Sequence, residues 1–135
     1  MSENENEDGS EESGAIVVID PDPDSRHAAE GLEEAVARSV IAIDSVEFGS
    51  ELADDVLEAE TYLICWDLGI RSGADLLEMI RQDPRFEDKK VIVAMAGPTR
   101  ERARWAMSLG ADALCSLPYD ADELIARVAT LEARG

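Results

Sequence analysis

Five short apolar runs, each followed by a segment with helical periodicity, constrain the fold of this chain most strongly. Continuous apolar runs of this kind are typical of strands that are covered on both faces. Short turns between strand and helix predict parallel crossovers, and therefore an α/β sandwich of three layers. The predicted strands are Ala15–Ile19, Ser39–Ile43, the part of Thr61–Ile70 that precedes Asp67, Val91–Ala96 and Ala113–Leu117. The predicted helices are one within Pro21–Ala37, Ser50–Glu58, Ala74–Gln82, Thr99–Leu109 and Ala121–Ala133.

Two of these apolar runs end abruptly in a carboxylate. Asp20 follows the first strand and Asp67 follows the third. In open α/β sheets, ligands and chemistry collect outside the carboxyl ends of the strands. We therefore expect these two acids to face one another across a small crevice, and we expect the functional site to lie there.

Composition bounds the domain organisation and the partners. With 135 residues, 45% of them apolar, the chain can bury one ordinary core, which we place at residues 15–135. Residues 1–14 are rich in acids and have no large apolar side chain after Met1, so they are predicted to be a disordered acidic tail.

The formal net charge of -19 argues against nucleic acid or an anionic membrane as a direct partner, because phosphate groups are repelled at long range. No apolar run approaches the length that spans a bilayer, and the N-terminus is acidic where a signal peptide is basic and then apolar. We therefore expect a cytoplasmic protein.

The order of motifs is distinctive. The segments that carry it are VVIDPDPDSR, ICWDLGI, GADLLEMIR and LGADALCSLPYDADELIARV. On these segments, the chain from about Ala15 to Ala133 resembles the receiver domain of two-component response regulators. The resemblance implies a flavodoxin-like (βα)5 fold with strand order 2-1-3-4-5. It also implies a cis proline at Leu117-Pro118.

By the same resemblance, Asp67 is the residue that accepts a phosphoryl group from a histidine kinase. The groups that assist this reaction in the family are replaced in this sequence. Pro21 stands where a second acid binds Mg²⁺, Met95 where a hydroxyl residue contacts the phosphoryl group, and Leu117 where a lysine pairs with it. Leu114 stands where the family has an aromatic switch residue. The resemblance is therefore to an atypical member, a pseudo-receiver.

The remaining acids predict at most a weak Mg²⁺ site, formed by Asp20 and Asp67. Asp22 is the residue that can replace the missing oxygen ligand at Pro21, from one position further along. No other cofactor is predicted, and neither is an enzymatic activity.

The fourth predicted helix carries a candidate interface. If one side of this helix faces the sheet, Trp105 points away from the sheet. The residues expected to face the sheet are Ala103, Ala106, Met107 and Gly110, and the arginines expected beside Trp105 are Arg100, Arg102 and Arg104. Tryptophan and arginine are enriched in interface hot spots. By resemblance, helix four, strand five and helix five form the usual dimer or effector surface, which adds Leu114 and Tyr119 to the candidate residues. The alternative is that Trp105 merely lies over a neighbouring side chain.

Three functional hypotheses follow. The first is a stand-alone pseudo-receiver that docks a protein partner, or a second copy of itself, without phosphorylation. The second is a response regulator that is weakly phosphorylated at Asp67. The third is a small-molecule or metal sensor that uses the degenerate crevice. No effector segment follows Gly135, so we expect output through a partner or a dimer.

Overall fold

The computed structural model describes residues 14–44, 48, 52–67 and 72–134. The predicted acidic tail, apart from Gly14, lies outside these residues. So do the beginning of the second predicted helix and most of the loop after Asp67. The fold described below is that of the remaining chain.

The described residues form a five-stranded parallel sheet with the order β2-β1-β3-β4-β5. The predicted class and strand order are confirmed. The strands are β1 (Ile16–Ile19), β2 (Val40–Ile43), β3 (Thr61–Cys65), β4 (Lys90–Met95) and β5 (Ala113–Ser116).

A helix follows each of the five strands. These helices are α1 (Pro23–Glu30), α2 (Asp54–Glu58), α3 (Gly73–Gln82), α4 (Arg100–Ser108) and α5 (Ala121–Arg134). Side chains fix the beginnings of three of them: Asp22, Ser72 and Thr99 each accept a hydrogen bond from a backbone N–H of the first turn. A short 3-10 helix, Pro84–Phe86, follows α3.

The first predicted helix is not continuous. It breaks after Glu30, and a separate helical turn, Glu33–Val36, ends at Ala37 in the left-handed conformation, with φ 59°. Gly31 lies at the break, and glycine is among the residues least favourable to a helix interior. The prediction of one helix through this segment was wrong for that reason.

The core has two halves, one on each face of the sheet. Along β1, Ile16 and Val18 face one side, while Val17 and Ile19 face the other. The side with Ile16 is covered by α1 and α5, and the other side by α2, α3 and α4. Burial on both faces explains why the strands are apolar throughout.

Because all five strands are parallel, their carboxyl ends meet at one edge of the sheet. Asp20 follows β1, Asp67 lies two residues beyond β3, and α4 begins after β4. The turn after β5 contains Leu117-Pro118, whose peptide bond is cis, as the resemblance implied. Within the described ranges, no helix is both long and apolar enough to cross a membrane.

Candidate functional site

Asp20 is buried at the end of β1, and the chain itself occupies both of its carboxylate oxygens. The backbone N–H of Asp22 donates to Oδ1 at 2.9 Å, and the Tyr119 hydroxyl donates to Oδ2 at 2.6 Å. Burial, and then the hydrogen bond to Asp20, raise the pKa of Tyr119 well above its usual value, so the hydroxyl stays protonated and remains a donor. Asp20 is therefore a fixed acceptor within the fold.

Asp67 is much more open. Its side chain is 63% exposed, and its Oδ1 lies 3.5 Å from Nη2 of Arg102 in the first turn of α4. The other terminal nitrogen of Arg102 donates to the carbonyl oxygens of Ala96 at 3.1 Å and Gly97 at 3.4 Å. The guanidinium thus bridges Asp67 and the loop that follows β4.

Asp20 and Asp67 lie at the same edge of the sheet, as the sequence predicted, but each acid has a different positive or polar neighbour. The sequence contains no direct signal for Arg102, which stood out only as one of three arginines around Trp105. The available clue was positional: Arg102 is the third residue of a helix that begins at the carboxyl end of a strand adjacent to β3.

Tyr119 was predicted on sequence grounds to belong to an exposed interface. The structure places its hydroxyl on Asp20 and leaves its side chain half-buried. Burial of one end of a tyrosine with its O–H on a carboxylate satisfies the polar group while the ring packs against apolar neighbours. Tyr119 is thus a residue of the crevice as well as a candidate for the surface.

The residues at the positions where the family has assisting polar or aromatic groups are all apolar in this chain. Met95 is fully buried in the core on the α3 side of the sheet, and Leu117 packs against both halves of the core. Leu114 is half-buried against the same core as Met95, and Pro21 brings no polar side chain. These positions supply neither a cation nor a hydroxyl to the crevice.

Asp22 does not take the place of the missing Mg²⁺ ligand. It is the N-cap of α1, where its carboxylate accepts hydrogen bonds from the Asp24 backbone N–H at 3.4 Å and from the Ser25 hydroxyl at 3.0 Å. Within the described residues, no group of three or more His, Cys, Asp or Glu side chains could hold a metal ion. Mg²⁺ usually keeps several waters and is bound by only one or two carboxylates, so the weak site predicted from Asp20 and Asp67 stays a prediction.

A pair of tryptophans adjoins the crevice. The rings of Trp66 and Trp105 meet edge to face, with centroids 5.3 Å apart and an interplanar angle of 85°. Trp66 is buried, as expected, whereas Trp105 is 52% exposed on α4. The alternative interpretation is confirmed, because the ring of Trp105 lies against a neighbouring side chain. A role of the exposed part of Trp105 in an interface stays a prediction.

The buried thiol of Cys65 lies beneath this edge. Its Sγ is 3.5 Å from the Asp67 carbonyl oxygen. Burial, and then the negative charge of Asp20, raise the pKa of Cys65 to about 11. The thiol is therefore protonated at neutral pH, which is unfavourable for a nucleophile.

Solved structures share this architecture. A response regulator receiver domain protein from Clostridium thermocellum superposes with a TM-score of 0.73 at 19% identity, over 90% of this chain and 95% of that chain. The receiver domain of a Francisella response regulator superposes with a TM-score of 0.68 at 20% identity, over 90% and 98%. The chain therefore has the receiver fold, a flavodoxin-like α/β class.

The chain is also similar in sequence to a known protein. The chain is 30% identical over 130 residues to response regulator Rre1 from Synechocystis sp., which covers 89% of this chain. The chain spans about half of that relative, 52% of its length. No family model matches the chain. The chain is therefore similar in sequence to this response regulator, and it shares the fold of receiver domains.

Proposed function

We propose that this chain is a pseudo-receiver, a signalling module that binds a protein partner without being phosphorylated. The observation that carries the proposal is the state of the two acids in the crevice. Asp20 has both carboxylate oxygens occupied by Tyr119 and by the backbone N–H of Asp22, and Asp67 already lies beside Arg102. Hydrogen-bond donors of the chain itself thus hold Asp20, and an arginine of the chain lies beside Asp67.

Phosphoryl transfer relies on cations and donors that neutralise charge on the transferred group. In this chain Pro21, Met95 and Leu117 replace three groups of that kind. Loss of one such donor typically raises the barrier by about 3 kcal/mol. Several such losses make transfer to Asp67 slow and leave the product poorly held.

The surface formed by α4, β5 and α5 supports the binding half of the proposal. Trp105 exposes about half of its side chain on α4, and Met107 is 46% exposed on the same helix, so the expectation that Met107 faces the sheet was wrong. Arg100 and Arg104 are exposed and form no ion pair with any residue that the structure describes. An exposed tryptophan flanked by available arginines has the composition of an interface hot spot. The occupant is a partner protein or a second copy of this chain.

One observation favours the second hypothesis, weak phosphorylation. The Asp67 carboxylate is 63% exposed and is therefore accessible to a phosphodonor. In that case Arg102 is the cation that lies beside the acceptor among the residues that the structure describes. No comparable observation favours the sensor hypothesis, which stays a prediction from the sequence.

The first experiment incubates the full chain with Mg²⁺ and beryllofluoride, or with a small phosphodonor, and follows intact mass and backbone amide NMR. We expect no mass gain and no shifts centred on Asp67. A mass gain that disappears in Asp67→Asn would sink the pseudo-receiver proposal and favour a phosphorylated regulator.

The second experiment addresses the surface. Self-association is measured by sedimentation, and partner capture by cross-linking, for wild type, Trp105→Ala and Met79→Ala. Met79 is a matched control, because it is an exposed apolar residue, 38% accessible, on α3 and outside the proposed surface. We expect complexes to be lost in Trp105→Ala and kept in Met79→Ala. Equal effects of the two variants would contradict docking at Trp105.

A further inference from the structure

Helix α4 contacts the crevice through two residues that are three positions apart. Arg102 lies beside Asp67, and Trp105 lies against Trp66. Residues at i and i+3 of a helix share a face, and Trp66 and Asp67 are neighbours in the chain. One turn of α4 is therefore held by two consecutive residues at the end of β3.

The Trp66 half of this contact is rigid. The Trp66 backbone N–H donates to the Ala94 carbonyl at 2.8 Å, and its indole ring is buried. Gly73, at the start of α3, packs so closely that a Cβ there would lie 2.7 Å from the Trp66 carbonyl oxygen. Trp66 therefore serves as a fixed platform, and the position of α4 decides how Trp105 meets it.

The Arg102 half is adjustable. Arg102 is tied to the Ala96 and Gly97 carbonyls on one side, but on the other side it meets Asp67 at 3.5 Å through an exposed carboxylate. Thr99 caps the first turn of α4, so the contact with Asp67 is the part of this arrangement that a change of charge can release. Arg102 and Trp105 are separated by less than one turn of the helix.

We propose that Arg102 is a positioning residue that couples the charge of Asp67 to the orientation of Trp105. In this arrangement Asp67 is the counter-charge that fixes α4, a role that needs neither a metal nor a phosphoryl group. The inference rests on the proposed function to the extent that Trp105 is a docking residue.

The chain contains two tryptophans, and both belong to this pair, so their indole signals report on the contact without interference. The experiment records the indole N–H resonances and the near-UV circular dichroism of the full chain. Comparison with Trp105→Phe assigns each indole resonance to one tryptophan. It also identifies the circular-dichroism band that depends on the contact between the two rings. The test variants are Asp67→Asn, Arg102→Gln and the double variant.

We expect Asp67→Asn and Arg102→Gln to shift both indole resonances in the same direction and to reduce the Trp105-dependent band. The double variant should match the single variants, because both changes break the same link. Arg102→Lys, which keeps the charge, should restore part of the signal. Arg104→Gln is the matched control, because Arg104 is an exposed arginine of the same helix that forms no ion pair with any described residue, and it should leave both signals unchanged.

Unshifted indole signals in Asp67→Asn and Arg102→Gln would overturn the coupling, as would shifts that simply add in the double variant. A shift of equal size in Arg104→Gln would also overturn it, because a general loss of helical charge would then explain the effect. These outcomes are separate from those of the phosphodonor experiment. Phosphorylation of Asp67 would refute the pseudo-receiver proposal. Unchanged indole signals in the variants would refute only the coupling through Arg102.

Discussion

Two arginine–carboxylate pairs lie at opposite ends of the same sheet, and they differ in how firmly each is held. At the amino end, Arg81 meets Asp112 at 2.6 Å, and it also donates to the carbonyls of Gly110 at 2.9 Å and Lys89 at 3.1 Å. The same oxygen of Asp112 accepts the backbone N–H of Val91 at 2.8 Å. This cluster joins α3, β4 and the turn before β5.

At the carboxyl end, Arg102 and Asp67 are 3.5 Å apart, and Asp67 is more than twice as exposed as Asp112, at 63% against 28%. A pair with several shared partners and limited exposure stabilises a fold, whereas a single exposed pair contributes little. The amino end of the sheet is therefore built for stability. At the carboxyl end, the Asp67–Arg102 contact can be lost with little effect on the stability of the fold.

The largest effect is expected from breaking the amino-end cluster with Asp112→Ala. This change removes the Arg81 ion pair and the hydrogen bond from Val91, both made to a charged acceptor. Hydrogen bonds to charged groups contribute about 1.5–3 kcal/mol each, and partial exposure lowers that figure, so we expect a loss of roughly 3 kcal/mol in the free energy of unfolding. Denaturant titration measures it.

Asp88→Ala is the control for this prediction. Asp88 is an exposed acid that lines an open groove together with Arg81 and Asp112. It forms no ion pair with any described residue. Its replacement should change the free energy of unfolding by about 0.5 kcal/mol or less. If both variants lose stability equally, the cluster is not what holds the amino end together.

An intermediate effect is expected from Tyr119→Phe, which tests whether the carboxyl end also contains a fixed element. The change leaves the buried Oδ2 of Asp20 without its donor. A buried acceptor left unsatisfied costs about 1–3 kcal/mol, so we expect a loss of roughly 2 kcal/mol at pH 7.

This loss should depend on pH. The pKa of Tyr119 is raised in the folded protein, so unfolding releases its proton once the pH exceeds the unfolded value of 10.0. The stability that the hydroxyl contributes is therefore complete below pH 10.0 and declines as the pH rises above it. Phenylalanine does not ionise, so the difference between wild type and variant should shrink at alkaline pH. A constant difference would show that the hydroxyl is not held on Asp20.

The prediction that the fold is an α/β sandwich with strand order 2-1-3-4-5 came from two independent signals, and both held. Strands buried on both faces are apolar at every position, which is visible in a single sequence, and the motif order supplied the topology. The break at Gly31 was missed because the apolar periodicity continues across it through Leu32 and Val36. Local pattern alone could not show that the chain turns there.

The site was predicted only in part. Asp20 and Asp67 share an edge because parallel strands point the same way, which the strand order implies. The partners of these acids come from distant segments: the Tyr119 hydroxyl reaches Asp20 across 99 positions of sequence. No pattern of residue spacing in the sequence predicts a contact between positions so far apart. Arg102 was missed for the same reason, since its role depends on where α4 begins relative to the end of β3.

The smallest effect on stability is expected from Asp67→Asn, although the same change should move the tryptophan signals. An exposed ion pair is screened by water and salt, and it typically contributes 0.2–1 kcal/mol. Because Asp67 is 63% exposed and its oxygen lies 3.5 Å from Arg102, we expect a loss of about 0.5 kcal/mol or less. Denaturant titration at low salt measures this loss, and at about 1 M salt it should vanish. A loss as large as that in Asp112→Ala would mean that Asp67 holds the fold as firmly as the amino-end cluster does, and the contrast between the two ends would fail. A small loss together with shifted indole resonances would mean that the Asp67–Arg102 contact sets the position of α4 without supporting the fold.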